Sequence, residues 1–227
     1  MTPDAAPTAD RAVDPVPVIL SSPSGGGKTT IRRELQALRA DVGYSVSVTT
    51  RRPRAAEVDG RDYYFLSHGE FESRRERGEF AEWAEVHGNL YGTLRREVSR
   101  VLDSGKHVMM DIDVQGARQF AQAFPDSVLI FLLPPSADVL LTRLKERKTE
   151  YPADLVLRLE SARQEVMALD LYRYVVINQD LHRAVHLVSA IIDAETARRM
   201  QSPALAADVA AIVAGLDREI AALRPRI

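Results

Sequence analysis

The stretch "SSPSGGGKTT", Ser21–Thr30, decides the fold, because it departs at a single position from a phosphate-binding loop. The pattern G-x-x-x-x-G-K-[ST] requires glycine where this chain has Ser22, and it is otherwise complete through Gly27, Lys28 and Thr29. In such a loop, main-chain N–H groups surround an anion at the start of a helix, and glycines supply positive φ angles and room for the phosphates. The first position lies at the strand exit, farther from the phosphates, where serine fits if its φ is negative. The alternative is a glycine-rich surface turn with an accidental lysine.

The sequence on either side of the loop favours the phosphate-binding interpretation. Val16–Ser22 is a short apolar run typical of a buried strand, and Ile31, Leu35 and Leu38 have the spacing of a helix that begins at about Lys28. In this context the lysine bridges the β- and γ-phosphates and the hydroxyl of the next threonine holds Mg²⁺. The predicted ATP-binding residues of the loop are Ser24, Gly25, Gly26, Gly27, Lys28, Thr29 and Thr30, with Thr29 also a metal ligand.

The distribution of apolar runs predicts an α/β fold. "HVMMDID", "SVLIFLLPP" and "YVVIN" read as buried strands separated by amphipathic helices, which indicates a parallel sheet covered by helices on both faces. "YSVSVTT", Arg61–Ser67 and a hairpin over Phe80–Thr93 read as shorter strands, with a helix at Phe71–Gly78. The predicted divisions are a disordered leader (1–15), a core (16–44, 96–137 and 166–200), a β-rich insertion (45–95), a helical insertion (138–165) and a C-terminal helical extension (201–227).

Composition narrows the class of protein. The chain has 227 residues, 45% of them apolar, which is enough for a globular core. A net charge of −2 gives no reason to expect nucleic-acid binding, and no apolar run approaches the roughly 20 residues that span a bilayer. Cysteine is absent, which agrees with a reducing cytoplasm, the expected location.

Several blocks of sequence resemble the guanylate kinase family. They are "SVSVTTRRPRAAEVDGRDYYF", "FAEWAEVHGNLYGT", "DIDVQGARQF", "FLLPPS" and "RLKERKTE", in the family's order, and the resemblance covers about Pro17 to Ala197. It implies a P-loop kinase core with a parallel sheet flanked by helices, a small β-rich GMP-binding insertion and a helical lid. The implied reaction is Mg²⁺-dependent transfer of the γ-phosphoryl group of ATP to GMP. Ser22 and Lys148 stand where the family's pattern often has glycine.

Arginines and tyrosines in the insertion suit a phosphate. Arg51 and Arg54 lie in "TTRRPR", and guanidinium groups bind phosphate oxygens in pairs. The resemblance adds the hydroxyls of Tyr63 and Tyr91 and places all four residues around the GMP phosphate. The alternative is a solvated basic loop beside core tyrosines.

Three further residues of the insertion suit guanine. One carboxylate can accept both N1–H and N2–H₂ of the base, and Glu82 lies in an otherwise apolar strand. The resemblance matches Glu82 to the family's guanine-reading acid and assigns Ser47 and Thr93 to the O6 oxygen. Without the resemblance, both hydroxyls would read as ordinary strand residues facing solvent.

Two acids end the strand in "DIDVQG". Asp111 is predicted on the Mg²⁺ side and Asp113 as a GMP ligand. Either could instead cap the helix that follows.

The remaining predicted residues come from the lid and the last strand. Arg143 and Arg147 are four residues apart on one helical face, and Arg158 follows in the next helix. In the family these arginines surround the transferring phosphoryl group, although surface pairing with glutamates is the alternative. Asn178 is a candidate adenine contact. The predicted catalytic residues are Lys28, Arg51, Arg143, Arg147 and Arg158.

Two other functions stay open at this point. One is a kinase of a ribose phosphate on the same fold, and the other is a non-catalytic guanylate-kinase-like module that binds proteins. Glu82 with its hydroxyl partners argues against the first, and the complete Gly-Lys-Thr argues against the second. ATP and GMP are the expected small-molecule substrates, and the terminal helix could cover the core or form a homodimer.

Overall fold

The computed structural model describes residues 14–86, 88–145, 152–199 and 209–218. Strands are β1 (Pro17–Ser21), β2 (Val42–Tyr44), β3 (Val48–Thr49), β4 (Tyr64–Phe65), β5 (Phe80–Val86), β6 (Asn89–Leu94), β7 (His107–Asp111), β8 (Val128–Leu133) and β9 (Tyr174–Ile177). Helices are α1 (Lys28–Leu38), α2 (His68–Glu76), α3 (Arg95–Asp103), α4 (Val114–Ala123), α5 (Ala137–Lys145), α6 (Pro152–Met167) and α7 (Leu181–Arg199). A 3-10 turn at Leu169–Leu171 precedes β9, and residues 209–218 are helical.

A five-stranded sheet in the order β2-β7-β1-β8-β9 forms the core, and all its strand pairs are parallel. Parallel strands need crossover helices, which cover both faces and exclude water. Successive residues of β1 accordingly face opposite sides: Val18 and Leu20 pack in a cluster with α1 and α7, whereas Ile19 packs with α3 and α4. The carboxyl ends of β1 and β7 meet at one edge, which puts the phosphate loop beside Asp111.

A smaller four-stranded sheet in the order β4-β3-β6-β5 carries the other predicted ligands. The β5–β6 hairpin is antiparallel, and β3 pairs antiparallel with β6 and parallel with β4. Its hydrophobic cluster includes Phe71 of α2 and Phe80 of β5, whose rings stack with centroids 4.4 Å apart.

The predicted fold class, an α/β core with a parallel sheet flanked by helices, is confirmed, and two local predictions are wrong. "YSVSVTT" is not one strand, because β2 ends at Tyr44 in the core sheet and β3 begins at Val48 in the small sheet. The helix predicted from Phe71 starts at His68, because Ser67 and Glu70 form a capping box. The divisions into core, insertion and lid remain predictions, and residues 1–13 of the predicted leader lie outside the described residues.

No helix in the described part of the chain is long and apolar enough to cross a membrane.

Candidate active site

A cleft of about 540 Å³ is lined by residues of both the core sheet and the small sheet. Its volume is in the range of pockets that bind small molecules. It brings together loops that are far apart in sequence. The predicted site residues that line it are Ser24, Gly25, Gly26, Gly27, Lys28, Thr29, Thr30, Arg51, Arg54, Tyr63, Tyr91, Asp111, Asp113 and Arg158.

The phosphate loop (Ser22–Thr29) has the backbone that its glycines predict. Gly25 and Gly27 have φ angles of 81° and 95°, a region that other residues enter only with strain. Gly27 is also the N-cap of α1, and a Cβ there would lie 2.4 Å from Nδ2 of Asn178. The loop therefore ends directly on a helix N-terminus, where main-chain N–H groups favour an anion.

Ser22 is accommodated without disturbing the lysine. Its side chain is buried, and its Oγ donates to the carbonyl of Pro23 at 2.9 Å. Its own carbonyl accepts Nζ of Lys28 at 2.6 Å, so the ammonium group is held across the loop. The serine is thus an integral part of the loop.

Oxygen ligands suited to Mg²⁺ meet beside Lys28. Oγ1 of Thr29 donates to Oδ2 of Asp111 at 3.2 Å, which joins the first turn of α1 to the end of β7. Hydroxyl and carboxylate oxygens are ligands that Mg²⁺ prefers, and it commonly takes only one or two from the protein. Within the described ranges, no group of three or more His, Cys, Asp or Glu side chains is placed to hold a metal ion.

Arg51, Tyr63 and Tyr91 form a cluster that lines the same cleft. The Arg51 guanidinium carbon lies 5.5 Å from the Tyr63 ring centroid, and the rings of Tyr63 and Tyr91 meet edge to face at 6.2 Å. Burial, and then the charge of Asp111, raises the pKa of Tyr63 to about 12, so its hydroxyl remains a donor at neutral pH. These donors could surround a phosphate.

Glu82 and Thr93 form a buried polar pair, and neither residue lines the cleft. Oγ1 of Thr93 donates to Oε1 of Glu82 at 2.6 Å, and the glutamate is only 4% exposed. Burial raises the pKa of Glu82 to about 7, against the effect of the Thr93 hydrogen bond. Ser47 is buried as well, on the chain just before β3. Ser47 and Thr93 are thus both buried, contrary to the alternative that these two hydroxyls belong to ordinary strand residues facing solvent.

Asp113 caps α4. Its Oδ1 accepts the main-chain N–H of Gly116 at 2.7 Å, which is the helix-capping alternative that the sequence left open. Its carboxylate also lines the cleft, so both roles are compatible with its position.

Asn178 and Arg143 lie next to the phosphate loop, and neither lines the cleft. Nδ2 of Asn178 donates to the carbonyl of Gly26 at 2.8 Å, and the Asn178 carbonyl accepts Nη2 of Arg143 at 3.4 Å. Asn178 therefore supports the loop, and its contact with adenine remains a prediction. Arg147 lies outside the described residues.

Comparisons with known proteins agree with this geometry. A family model described as guanylate kinase matches residues 14–195. The chain is 50% identical to a guanylate kinase of Bartonella quintana over 182 residues, covering 80% of this chain and 82% of that protein. It is 46% identical to one of Thermotoga maritima, covering 79% and 87% of the two chains. The chain belongs to the guanylate kinase family.

A solved guanylate kinase from Anaplasma phagocytophilum has the same fold. Its TM-score is 0.67 at 34% identity, with 81% of this chain and 87% of that chain covered.

Three residues at the site of this guanylate kinase family member were not predicted from the sequence. Glu57 accepts Nη2 of Arg51 with both oxygens, at 2.8 and 3.0 Å. Tyr44 donates to Asp111, and Glu165 of α6 lines the cleft. Of these three, only Glu57 could have been predicted from the sequence, because it is an acid close to Arg51 and Arg54 in a turn-rich loop.

Proposed function

We propose that this chain catalyses the reversible, Mg²⁺-dependent transfer of the γ-phosphoryl group of ATP to GMP, giving ADP and GDP. The observation that carries the proposal is that one cleft is lined both by the phosphate loop and by the Arg51–Tyr63–Tyr91 cluster. Membership of the guanylate kinase family supports the same reaction.

The donor binds at the phosphate loop. Its β- and γ-phosphates meet the N–H groups at the start of α1, and Lys28 exchanges its contact with the Ser22 carbonyl for phosphate oxygens. Thr29 and Asp111 would hold Mg²⁺, which would neutralise phosphate charge.

The acceptor binds against the small sheet. Arg51, Arg54 and the two tyrosines bind the GMP phosphate, whose arrival replaces Glu57 as the partner of Arg51. Ionised Glu82 accepts N1–H and N2–H₂ of guanine. Ser47 donates to O6, and Thr93 donates to O6 after its hydroxyl gives up the bond to Glu82.

The chemistry needs no general base, because the GMP phosphate is already an anionic nucleophile. One of its oxygens forms the new bond to the γ-phosphorus of ATP as the bond to the β-phosphate oxygen breaks and ADP leaves. Lys28 and the arginines Arg143, Arg147 and Arg158 stabilise the charge on the transferred group. Closure of the lid over the cleft excludes water, which would otherwise hydrolyse ATP.

The two alternatives are disfavoured by particular residues. A ribose phosphate kinase would have no use for the buried Glu82–Thr93 pair, whose burial is costly without a polar ligand. A non-catalytic module would not need Lys28, Thr29 and Asp111 around one phosphate site.

The decisive experiment measures ADP release by the purified protein with MgATP and GMP, AMP, UMP or ribose 5-phosphate. We expect turnover with GMP and little with the others. Lys28→Ala should lower turnover at least about 100-fold, since it removes a donor to the transferred charge. Activity with the sugar phosphate alone would overturn the proposal, as would unimpaired turnover in Lys28→Ala.

A matched pair of variants tests base recognition. Glu82→Gln should raise the KM for GMP and reduce the preference for GMP over AMP, because an amide cannot accept both guanine donors. Glu76→Gln, on the exposed end of α2, is the control. An unchanged GMP/AMP ratio in Glu82→Gln would remove Glu82 from the site.

A further inference from the structure

Each oxygen of the Asp111 carboxylate has a different hydroxyl partner. Oδ1 accepts the hydroxyl of Tyr44 at 2.9 Å, and Oδ2 accepts Oγ1 of Thr29 at 3.2 Å. Tyr44 is the last residue of β2, which pairs with the strand that ends at Asp111. The phenol therefore reaches the carboxylate from the side opposite to the phosphate loop.

The Tyr44 ring is itself held in place by Arg32. The guanidinium carbon of Arg32 lies 3.9 Å from the ring centroid, which is a close cation–π contact. Nη1 of Arg32 donates to Oε1 of Gln36 at 2.8 Å, one turn farther along α1. The guanidinium is therefore held both by this hydrogen bond and by the Tyr44 ring. Its Nε lies 3.8 Å from Oδ2 of Asp111. Arg32, Tyr44 and Asp111 thus form one packed unit.

From this arrangement we propose that Tyr44 is a positioning residue for the metal-side carboxylate, an inference that rests on the proposed function. An unrestrained carboxylate can rotate about its Cβ–Cγ bond and exchange its two oxygens. The Tyr44 hydrogen bond occupies Oδ1 and leaves Oδ2 beside Thr29, where Mg²⁺ and its water ligands are expected. Groups that orient a metal-side carboxylate in this way commonly change metal affinity by about 10- to 100-fold when they are removed.

The test compares Tyr44→Phe with wild type in binding a non-hydrolysable ATP analogue, by calorimetry, with Mg²⁺ and with EDTA. The variant keeps the ring and loses only the hydroxyl. We expect binding about tenfold weaker with Mg²⁺ and unchanged with EDTA. The Mg²⁺ concentration for half-maximal turnover should rise similarly, with the KM for GMP unchanged.

Tyr64→Phe is the control, since it removes a hydroxyl that donates to Glu97 at 3.3 Å, away from Asp111. It should leave both Mg²⁺ responses unchanged. Equal weakening of Tyr44→Phe with and without Mg²⁺ would overturn the proposal, because the hydroxyl would then support the nucleotide pocket alone. An unchanged Mg²⁺ response would do the same.

Asp111→Asn provides a second test that does not depend on the folding of Tyr44→Phe. It must show the same Mg²⁺-selective loss, and combining it with Tyr44→Phe must add little, because Tyr44 acts through Asp111. If Asp111→Asn binds the analogue normally with Mg²⁺, the proposal fails. These binding measurements need no acceptor, so their failure is distinct from a failure of the GMP assay.

Discussion

Ser22 and Gly26 fit each other inside the phosphate loop. The carbonyl of Pro23 accepts both Oγ of Ser22, at 2.9 Å, and the N–H of Gly26, at 2.8 Å. A Cβ on Gly26 would lie 2.4 Å from Oγ and 2.6 Å from Cβ of Ser22. The serine side chain therefore occupies the space that the glycine leaves empty, which explains how the loop tolerates serine at its first position.

This fit predicts strong coupling between the two positions. Gly26→Ala should weaken ADP binding about tenfold, or about 1.4 kcal/mol. Adding Ser22→Gly should restore most of the loss but not all, because the Pro23 carbonyl would still be 2.9 Å from the new Cβ. Calorimetry on the two single variants and the double variant measures the coupling.

Gly69→Ala is the control for that cycle, since a Cβ on Gly69 meets no atom within 4 Å. Strictly additive effects of Ser22→Gly and Gly26→Ala would contradict the fit.

Single site residues are predicted best from the sequence where one local motif specifies both the ligand contacts and the backbone conformation. Gly25, Gly27 and Lys28 follow from a local pattern, and the structure has the positive φ angles that it requires. Tyr44 could not be found in this way, because its role depends on the pairing of β2 with β7, far along the chain. Asn178 likewise reaches Gly26 across 152 positions of sequence.

Among the elements, α4 depends on Asp113 for its first turn, and two substitutions separate that role from GMP binding. Asp113→Asn should leave thermal stability nearly unchanged, because asparagine caps helices as well as aspartate does. Asp113→Ala should cost about 1 kcal/mol of stability. If the carboxylate also binds GMP, both variants should raise the KM for GMP, and thermal unfolding with steady-state kinetics measures the two effects.

A normal KM for GMP in a stable Asp113→Asn protein would leave the residue with the capping role alone.

Element boundaries were harder to predict than element types. "YSVSVTT" alternates throughout, and nothing in that period marks the change from the core sheet at Tyr44 to the small sheet at Val48. The capping box of Ser67 and Glu70 is visible as S-x-x-E, yet no hydrophobic residue lies between them to extend the predicted helix back to His68.

For the whole molecule, the buried Glu82 links the site to stability. Burial, reinforced by the charge of Asp113, raises the pKa of Glu82 from its usual 4.5 to about 7. Between these two pH values the folded protein keeps a proton that the unfolded chain has released. The contribution of Glu82 to the free energy of unfolding therefore falls as pH rises through this window, and at pH 8 the ionised group destabilises the ligand-free protein.

Glu82→Gln should remove this pH dependence. The quantity to compare is the free energy of unfolding of the ligand-free variant minus that of the wild type. This difference should be about 1–3 kcal/mol larger at pH 8 than at pH 5, in favour of the variant. Thermal unfolding of both proteins across this range measures the difference, and His107, whose pKa burial lowers, cancels because both proteins contain it. GMP should reduce the wild-type penalty at pH 8, because its N–H donors pair with the carboxylate that burial leaves under-solvated. A stability difference that stays constant from pH 5 to pH 8 would mean that Glu82 does not titrate in this window. Ionisation of Glu82 would then not lower the free energy of unfolding of the ligand-free protein.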